Sequence, residues 1–494
     1  MEPVQQKVGP LVNADARPRS SMLEKGAAAL ALGWCAFRLA RGIGPVPFYN
    51  SDSAVPILLM QGLGDGPFTL FYPRQDRYGM WPFLLARAMH LGTPEAFHVF
   101  SVLFWCAAAL PLVLLLESPA LAIATLFLPI VLNNEVAWNF FQSGQPYLWQ
   151  VSTLIWAWAA CRVAVDGRTP VRRTVALVVF WLFGALLAWI STLGIPALLI
   201  LVVIEAARAR AGALRSARLV VALGLSALAE GQIRRLYNAF CRRTFGEKFL
   251  TVLKLDRGHL GANLASVLGT SRAVGLVVPL LLGVAVLPVP GRTRTERCHQ
   301  LAFVLLAVYP LPAYVLVRHF RDNLFAGRYF SLCAFWAVAG AVYGAAVLLC
   351  HLAGEREPAL RLLILLGLVM TIPASPADPL AGERLLAARL VGPGQRLLLA
   401  DYWDVYVPAS LAPPGTLLPL GREGNTNRFP ALQDALRPGR VVLASCALDD
   451  VEGTMTQYGA LLRRTPEPPI VAGQGGPWCL HWVERGARPI RQPR

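Results

Sequence analysis

The chain has 494 residues, of which 55% are hydrophobic and only 15% are charged, and its formal net charge is +17. Soluble proteins carry about a quarter charged residues, so this composition excludes an ordinary soluble domain. Apolar runs of roughly 17–25 residues recur along the chain and predict a polytopic α-helical membrane protein rather than a β-barrel. Because arginines cluster in short loops between these runs, membrane topology accounts for the charge, and no nucleic-acid partner is expected.

The chain divides into three predicted regions. Residues 1–25 are polar and predict a disordered cytoplasmic tail. Residues 26–373 form the predicted transmembrane domain, and residues 374–494 form a small extracytoplasmic domain. The first span has no small-residue cleavage site and is interpreted as an uncleaved anchor. About eleven spans are expected, at residues 26–44, 97–116, 119–132, 148–165, 174–190, 194–209, 219–229, 264–287, 301–317, 330–349 and 362–372.

The turns between the spans orient the chain. With the N-terminus in the cytoplasm, every short turn on the cytoplasmic side carries arginine, as the positive-inside rule expects. These turns are residues 166–173, 208–218, 288–300 and 351–361. The segments outside the membrane are then residues 45–96, 133–147, 191–193, 230–263, 318–329 and everything after about 373.

The first outside loop, residues 45–96, contains two apolar pieces that are too short to span a membrane. Residues 54–61 and 79–91 are predicted to be helices that lie along the interface. Charged groups beside a membrane span are costly unless they have a function. Asp52 can also be the N-cap of the first interfacial helix. The pair Asp76-Arg77 can also be a turn with a local ion pair of little energetic weight.

Two other outside segments are basic, and their charge suggests an anionic ligand. The second outside loop, residues 230–263, contains Arg242 and Arg243, and the last short loop, residues 318–329, contains Arg321 and Arg328. A guanidinium group in such a loop can bind a phosphate through two hydrogen bonds. It can also simply extend to the membrane surface.

The C-terminal region has the pattern of a small α/β domain. Short apolar runs, each followed by polar or turn residues, alternate with two stretches that can be helical. The runs are residues 396–400, 440–444 and 469–471, and the helical stretches are 402–410 and 427–436.

The cysteines and histidines show no spacing typical of a metal site. Cys446 and Cys479 share the C-terminal domain and can form a disulfide if that domain is extracytoplasmic. No cofactor is indicated, and dependence on a divalent metal stays open.

Three short segments of the sequence resemble motifs of the GT-C superfold of membrane glycosyltransferases. The resemblance rests on Asp52 in the first outside loop, on residues 71–79 (Phe-Tyr-Pro-Arg-Gln-Asp-Arg-Tyr-Gly) and on Gly327-Arg328-Tyr329 at the start of a late span. The nearest branch contains the relatives of bacterial protein O-mannosyltransferases and the lipid A aminoarabinose transferase. Residues 400–406 also resemble the start of the periplasmic tail domain of bacterial members. Many members have Asp-Glu at the first acid, whereas Ser53 follows Asp52 here.

The resemblance implies transfer of a sugar from a polyprenyl phosphate to a hydroxyl group of a glycan, lipid or protein, with inversion at the anomeric carbon. Asp52 would be the general base. Arg328, with Arg321 or the basic loop 230–263, would stabilise the leaving lipid phosphate. Asp76 is a candidate second carboxylate. The remaining implied substrate and donor contacts are Gln75, Tyr78, Arg74, Arg77, Tyr329, Arg242 and Arg243.

Three other functions fit parts of the pattern. A secondary transporter would need ionisable residues at mid-span and broken helices, and mid-span charge is sparse here. A non-catalytic membrane assembly or binding protein would use the tail domain as its working part. Another membrane transferase, such as a polymer ligase, would use the basic loop 230–263. The high Arg, Ala, Gly and Pro content indicates a GC-rich bacterium, and hence its inner membrane.

Overall fold

Helices form the apolar part of the chain, and a mixed sheet follows them. The computed structural model describes residues 21–42, 49–63, 70–72, 78–245, 255–322, 324, 326–372, 380–423, 429–448, 454–471 and 477–485. The first ten helices are α1 Met22–Gly42, α2 Ser51–Met60, α3 Trp81–Ala88, α4 Pro94–Ala107, α5 Ala109–Leu116, α6 Pro119–Leu132, α7 Asn134–Phe141, α8 Tyr147–Asp166, α9 Pro170–Ile190 and α10 Gly194–Arg208. The others are α11 Ala213–Phe245, α12 Leu260–Ala273, α13 Val277–Ala285, α14 Arg294–Val308, α15 Leu311–Leu316, α16 Arg318–Asp322, α17 Ser331–Ala353, α18 Glu357–Thr371, α19 Ala381–Leu390 and α20 Tyr402–Leu411.

Several membrane helices begin at the same sequence signal, a Ser or Thr followed by proline. Thr93, Ser118 and Thr169 each accept a hydrogen bond from a backbone amide in the first turn of α4, α6 and α9. The proline that follows has no N–H group to leave unsatisfied and has a helical φ angle. These starts agree within a few residues with the spans predicted from the sequence.

Among the described residues, five helical segments are long and apolar enough to cross a membrane: Pro94–Leu116, Tyr147–Asp166, Pro170–Ile190, Arg294–Leu316 and Gly327–Ala353. Two further pairs of helices meet these criteria but are bent, α6 with α7 by 102° and the segment Arg257–Ala273 with α13 by 84°. The chain is therefore a multi-span helical protein, and the number of about eleven spans stays a prediction.

The two short helices predicted in the first outside loop are present as α2 and α3, and their position along the membrane interface stays a prediction. One predicted boundary differs from the structure. Helix α11 continues to Phe245, so the first half of the predicted loop 230–263 is helical. Residues 230–245 of α11 include many polar side chains and form no apolar run. A prediction from hydropathy therefore ends the span near residue 229.

The four arginine-bearing turns meet at one end of the helical bundle. Arg208 forms an ion pair with Asp166 (2.5 Å), Arg294 donates to the carbonyl of Ala207, and His351 lies 3.2 Å from Glu296. The first and third of these contacts each join two predicted cytoplasmic turns, and the second joins the turn 288–300 to the residue just before the turn 208–218. Loops from the opposite helix ends gather around α2, so the bundle has two chemically distinct ends.

The C-terminal domain is α/β, as predicted. Its strands are β1 Arg396–Ala400, β2 Leu417–Gly421, β3 Val441–Ser445, β4 Thr454–Gln457, β5 Ala460–Arg464, β6 Ile470–Val471 and β7 Pro477–Arg485. The sheet order is β2-β1-β3-β7-β5-β4, with β6 beside β7; β1 is parallel to β2 and β3, and the other pairs are antiparallel. Cys446 and Cys479, whose pairing the sequence left open, form a disulfide.

The sheet packs on the helical bundle through one of its faces. Leu398 and Ala400 of β1 belong to the main core, whereas Leu397 and Leu399 belong to a second cluster on the other face. This alternation follows from the two-residue period of a strand. Helix α20 lies between the sheet and α2, and it contacts both.

Candidate active site

Asp52 lies in the first turn of α2 and does not cap it. Asn50 is the N-cap, and its side-chain oxygen accepts a hydrogen bond from the amide of Ser53 at 3.1 Å. The alternative that Asp52 is the cap is therefore wrong. The Asp52 side chain is 18% exposed, so its carboxylate is reachable by a ligand while most of the residue is held by protein.

Tyr72 orients the Asp52 carboxylate. Its hydroxyl lies 3.3 Å from Asp52 Oδ1 and 3.2 Å from the Asp52 backbone oxygen, and it donates to one of them at a time. The Tyr72 ring stacks on the ring of Tyr78, with centroids 5.8 Å apart and planes 9° apart. Because Tyr72 bonds the carboxylate directly, it belongs to the site, although the sequence analysis did not select it.

Tyr78 supports the site from behind. It is buried, and its hydroxyl donates to the carbonyl of Gln145 (3.2 Å) or Ser143 (3.3 Å). Burial raises the pKa of Tyr78 well above its usual value, so the group acts as a neutral donor. This geometry differs from the sugar contact predicted for Tyr78, because the protein's own carbonyls take its hydrogen bond.

Gly144 brings the loop 142–146 against Asp52. A side chain at this position would begin 2.5 Å from the backbone oxygen of Asp52 and 3.0 Å from its Cβ. Next to it, the Ser143 hydroxyl donates to the carbonyl of Ser53 at 3.0 Å. A glycine is therefore required here by close approach, and the loop fixes the first turn of α2.

Residues 70–72 and 78–80 form a short antiparallel hairpin beside α2. The amide of Tyr72 donates to the carbonyl of Tyr78 at 2.8 Å, and the indole of Trp189 donates to the carbonyl of Leu70 at 2.8 Å. Gly79 packs directly on the backbone of Trp189. The four predicted residues Arg74, Gln75, Asp76 and Arg77 connect the two arms of this hairpin and lie outside the described residues.

Arg328 reaches Asp52 from the far end of the sequence. It lies in a one-turn helix, Gly327–Phe330, that precedes α17. Its Nη1 is 3.9 Å from Asp52 Oδ2, and its guanidinium carbon is 5.3 Å from the centre of the Tyr329 ring. The structure thus brings together the predicted acid, the predicted phosphate ligand and Tyr329. The distance is too long for a hydrogen bond between these two groups, so their contact is an electrostatic one.

Glu135 is a second carboxylate near this point, and the sequence analysis did not single it out. Its Oε2 is 3.5 Å from the position that a Cβ on Gly327 would take, and it accepts a hydrogen bond from Asn139 at 3.3 Å. The same Asn139 amide also donates to the Ser331 hydroxyl, at 2.9 Å. The signal that could have found Glu135 is its place in the polar, aromatic loop 133–147.

Arg321, a predicted phosphate ligand, forms an ion pair with Asp256. Its Nη1 is 2.9 Å from Asp256 Oδ2, and Asp256 also accepts from His259 (2.8 Å) and Asn263 (3.1 Å). Burial raises the pKa of Asp256, but these hydrogen bonds and the charge of Arg321 outweigh it, so the pKa lies below its usual value. Arg321 therefore joins residues 256–263 to α16. The side chains of Arg242 and Arg243, in α11, lie outside the described part of the chain.

The described residues contain no cluster of three or more His, Cys, Asp or Glu side chains that could hold a metal ion. Asp52, 3.9 Å from Arg328, and Glu135, beside Gly327, are two carboxylates at the Arg328 turn.

Comparison with known proteins identifies the fold. The sequence matches no protein-family profile and no curated protein sequence. Two solved structures of ArnT from Cupriavidus metallidurans are similar, each at 11% identity. The match to the apo structure has a TM-score of 0.54 and covers 93% of this chain and 97% of the ArnT chain. The match to the structure bound to undecaprenyl phosphate has a TM-score of 0.53 and covers 94% of this chain and 98% of the ArnT chain.

The chain has the GT-C fold. This confirms the fold that the short motifs around Asp52 and Arg328 predicted. The similarity extends through the C-terminal domain, since it covers nearly the whole length of both chains. In this GT-C fold, the acid of the first loop and the arginine before a late span meet at one end of the bundle.

Proposed function

We propose that the protein is a membrane glycosyltransferase that moves a sugar from a polyprenyl-phosphate donor to an acceptor hydroxyl on the extracytoplasmic face of the membrane. The observation that carries the proposal is the approach of Asp52 and Arg328 to 3.9 Å. The ArnT structure with bound undecaprenyl phosphate supports the choice of donor. A carboxylate and a guanidinium side by side supply the two charges that this transfer requires.

Asp52 acts as the general base. The acceptor hydroxyl gives its proton to the Asp52 carboxylate as its oxygen bonds to the anomeric carbon of the donor. Tyr72 holds the carboxylate through Oδ1, and Oδ2 is the oxygen that lies 3.9 Å from Arg328 Nη1. The bond between the anomeric carbon and the phosphate oxygen breaks, and its electron pair leaves with the lipid phosphate. Attack opposite the leaving group inverts the anomeric centre.

Arg328 stabilises the leaving phosphate. Its side chain is 37% exposed and rests on the face of Tyr329, so the guanidinium is held in place but open on one side. Negative charge develops on the phosphate oxygen as the sugar leaves, and a positioned cation lowers the energy of that state. Arg321 acts indirectly, by fixing α16 through Asp256, and Tyr78 acts by supporting Tyr72 and the loop 142–146.

Donor and acceptor contacts extend to residues beyond this pair. We retain Gln75 and Asp76, with Arg74 and Arg77, as contacts to sugar or acceptor, because the arms of their hairpin reach Asp52 through Tyr72. Arg242 and Arg243 remain candidate phosphate ligands. Glu135 is a further candidate contact to the acceptor. It is also a candidate ligand, together with Asp52, of a divalent metal. The acceptor is a glycan, a lipid or a protein.

The end of the bundle with the arginine-bearing turns faces the cytoplasm under the positive-inside rule. The site around Asp52 is at the other end, so it faces outward, with the disulfide-containing domain on the same side. The proposed location is the bacterial inner membrane, with a cytoplasmic N-terminus.

The test uses the full chain in lipid vesicles, supplied with a panel of undecaprenyl-phosphate sugars, and measures release of undecaprenyl phosphate. Asp52→Asn is expected to lower turnover by roughly 10²–10⁴-fold and to leave binding of undecaprenyl phosphate intact. Arg328→Gln is expected to weaken that binding. Arg318→Gln is the matched control, because Arg318 is on the same loop but pairs with Asp322 at 3.3 Å.

Two results would contradict the proposal. Full turnover by Asp52→Asn would exclude this carboxylate as the base. Equal lipid binding by the Arg328→Gln and wild-type proteins would exclude a phosphate contact at Arg328.

A further inference from the structure

A cavity of about 260 Å³ lies at the end of the bundle opposite Asp52. It is formed where α5 and α8 end and α9 begins. Helix α8 has 20 residues, so the cavity is about 30 Å from the candidate active site. The residues that line the cavity include Leu114, Glu117, Arg162, Asp166, Arg168 and Arg172.

The cavity has an excess of positive charge. Both acids are already paired: Glu117 with Arg162 at 2.8 Å, and Asp166 with Arg208 at 2.5 Å. The side chains of Arg168 and Arg172 make no hydrogen bond or ion pair with any residue in the described ranges. Two guanidinium groups are therefore left to bind an anion, while Arg162 and its partners form a fixed wall.

An apolar stripe leads from this cavity along the outside of the bundle. Leu103, Leu110 and Leu114 are 59%, 63% and 64% exposed. They occupy similar angular positions on the segment Pro94–Leu116, a span whose exposed side faces acyl chains in a membrane. A ligand with a phosphate at Arg168 and Arg172 can therefore lay its hydrocarbon chains on these leucines.

We propose that this cavity binds the headgroup of an anionic glycerophospholipid from the leaflet opposite the active site. Guanidinium groups bind phosphate oxygens through paired hydrogen bonds, and two unpaired arginines favour a lipid with net negative charge. The same phosphate chemistry exists in free inorganic phosphate. The leucine stripe argues for the lipid, because a free ion would gain nothing from it.

The proposal is independent of the glycosyltransferase assignment, and its test measures binding only. The delipidated full-length protein is titrated with phosphatidylglycerol, and bound lipid is counted by native mass spectrometry. Arg168→Gln with Arg172→Gln is expected to weaken phosphatidylglycerol binding by roughly tenfold or more. Arg210→Gln with Arg218→Gln removes the same charge at the same end of the bundle, away from the cavity, and is expected to leave binding near the wild-type level.

A third variant tests the contact between the leucine stripe and the hydrocarbon chains of the lipid. Leu114→Gln is expected to weaken phosphatidylglycerol binding while both cavity arginines remain. An equal loss of phosphatidylglycerol binding in the two double-arginine variants would overturn the proposal, because it would attribute the binding to general surface charge. Displacement of the lipid by inorganic phosphate would overturn the choice of ligand, as would equally tight binding of phosphatidylethanolamine by the wild-type protein.

Discussion

The position of Asp52 depends on residues that touch its backbone as much as on those that touch its carboxylate. Asn50 caps the helix, Tyr72 bonds the side chain, and Gly144 contacts the backbone. A catalytic carboxylate must be held within a fraction of an ångström of its working position. The residues around Asp52 are therefore expected to matter for turnover even where they cannot touch a substrate.

Gly144→Ala tests this at the point of closest approach. The new methyl group would begin 2.5 Å from the Asp52 carbonyl, so either the loop or the first turn of α2 must shift. Turnover is expected to fall by about a hundredfold, since a misplacement of about 1 Å has that effect on catalysis. The measurement is release of undecaprenyl phosphate by protein that elutes as a monodisperse peak.

The matched control is Gly231→Ala, on α11, where a methyl group meets nothing within 4 Å. It is expected to keep full turnover. A Gly144→Ala protein as active as this control would show that the contact with Asp52 tolerates displacement.

Asp256→Asn tests whether Arg321 is a structural residue. The folded-state pKa of Asp256 is below its unfolded value, so the carboxylate contributes stability above the unfolded pKa of about 3.9 and loses it as the pH falls through the lower folded pKa. The variant is expected to melt at a lower temperature than the wild type at neutral pH, with the difference shrinking under acid conditions.

The same variant separates the two roles of Arg321. If Arg321 is a phosphate ligand, freeing it from Asp256 should strengthen binding of undecaprenyl phosphate. We expect weaker or unchanged binding, because the ion pair holds α16 in place. Stronger binding would restore the role that the sequence predicted.

At the scale of elements, α2 is held from two sides. The loop 142–146 contacts its first turn, and α20 of the C-terminal domain packs along it. The hydroxyl of Tyr49, just before α2, donates to Ser410 Oγ of α20 at 2.8 Å, and the Gln61 amide after α2 donates to the carbonyl of Ser410 at 3.0 Å. One residue of the tail thus meets both ends of the helix that carries Asp52.

A double-mutant cycle measures this attachment. Tyr49→Phe and Ser410→Ala should each lower the stability of the protein, and the pair should show a coupling of about 0.5–1.5 kcal/mol, typical of one buried hydrogen bond. Unfolding in detergent, followed by tryptophan fluorescence, gives the four free energies.

Tyr49→Phe combined with Ser216→Ala provides the control cycle. Ser216 lies at the start of α11 and bonds the carbonyl of Gly212, so the two changes should add. A coupling as large in this cycle as in the first would remove the evidence for a specific contact.

At the scale of the whole molecule, the disulfide reports on the compartment of the C-terminal domain. Cys446 and Cys479 are 33 residues apart, and a bridge of this kind contributes about 2–4 kcal/mol. Cys446→Ser with Cys479→Ser should lower the melting temperature. In intact cells, both thiols should resist alkylation until a reductant is added, because the domain is proposed to be extracytoplasmic.

Cys298 serves as the control, since it is a partly exposed free thiol at the other end of the bundle. Cys298→Ser should leave the melting temperature almost unchanged. Alkylation of Cys446 and Cys479 without reductant would place the domain in a reducing compartment and reverse the proposed orientation.

Features set by local sequence could be predicted, whereas contacts between distant residues could be predicted only where a family resemblance supplied them. Apolar runs predicted the starts of α4, α6 and α9 to within a few residues of their caps Thr93, Ser118 and Thr169. The meeting of Asp52 with Arg328 followed from a family resemblance. The pairing of Arg321 with Asp256 joins residues 65 positions apart, and no local pattern signals it. The strands β2, β4, β5 and β7 were not predicted. In β4 and β7, polar residues break the apolar runs used to find strands.

The burial of α2 has a consequence for how this protein can be recombined. Nine of its ten residues are buried, partly under α20. A chimera that exchanges only the C-terminal domain would therefore place a foreign surface against the helix that carries Asp52. The segments that should be exchanged together are separate in the sequence: residues 49–61 and the domain from α19 onward. A library built on that unit should yield folded chimeras more often than one cut at the end of the last membrane helix.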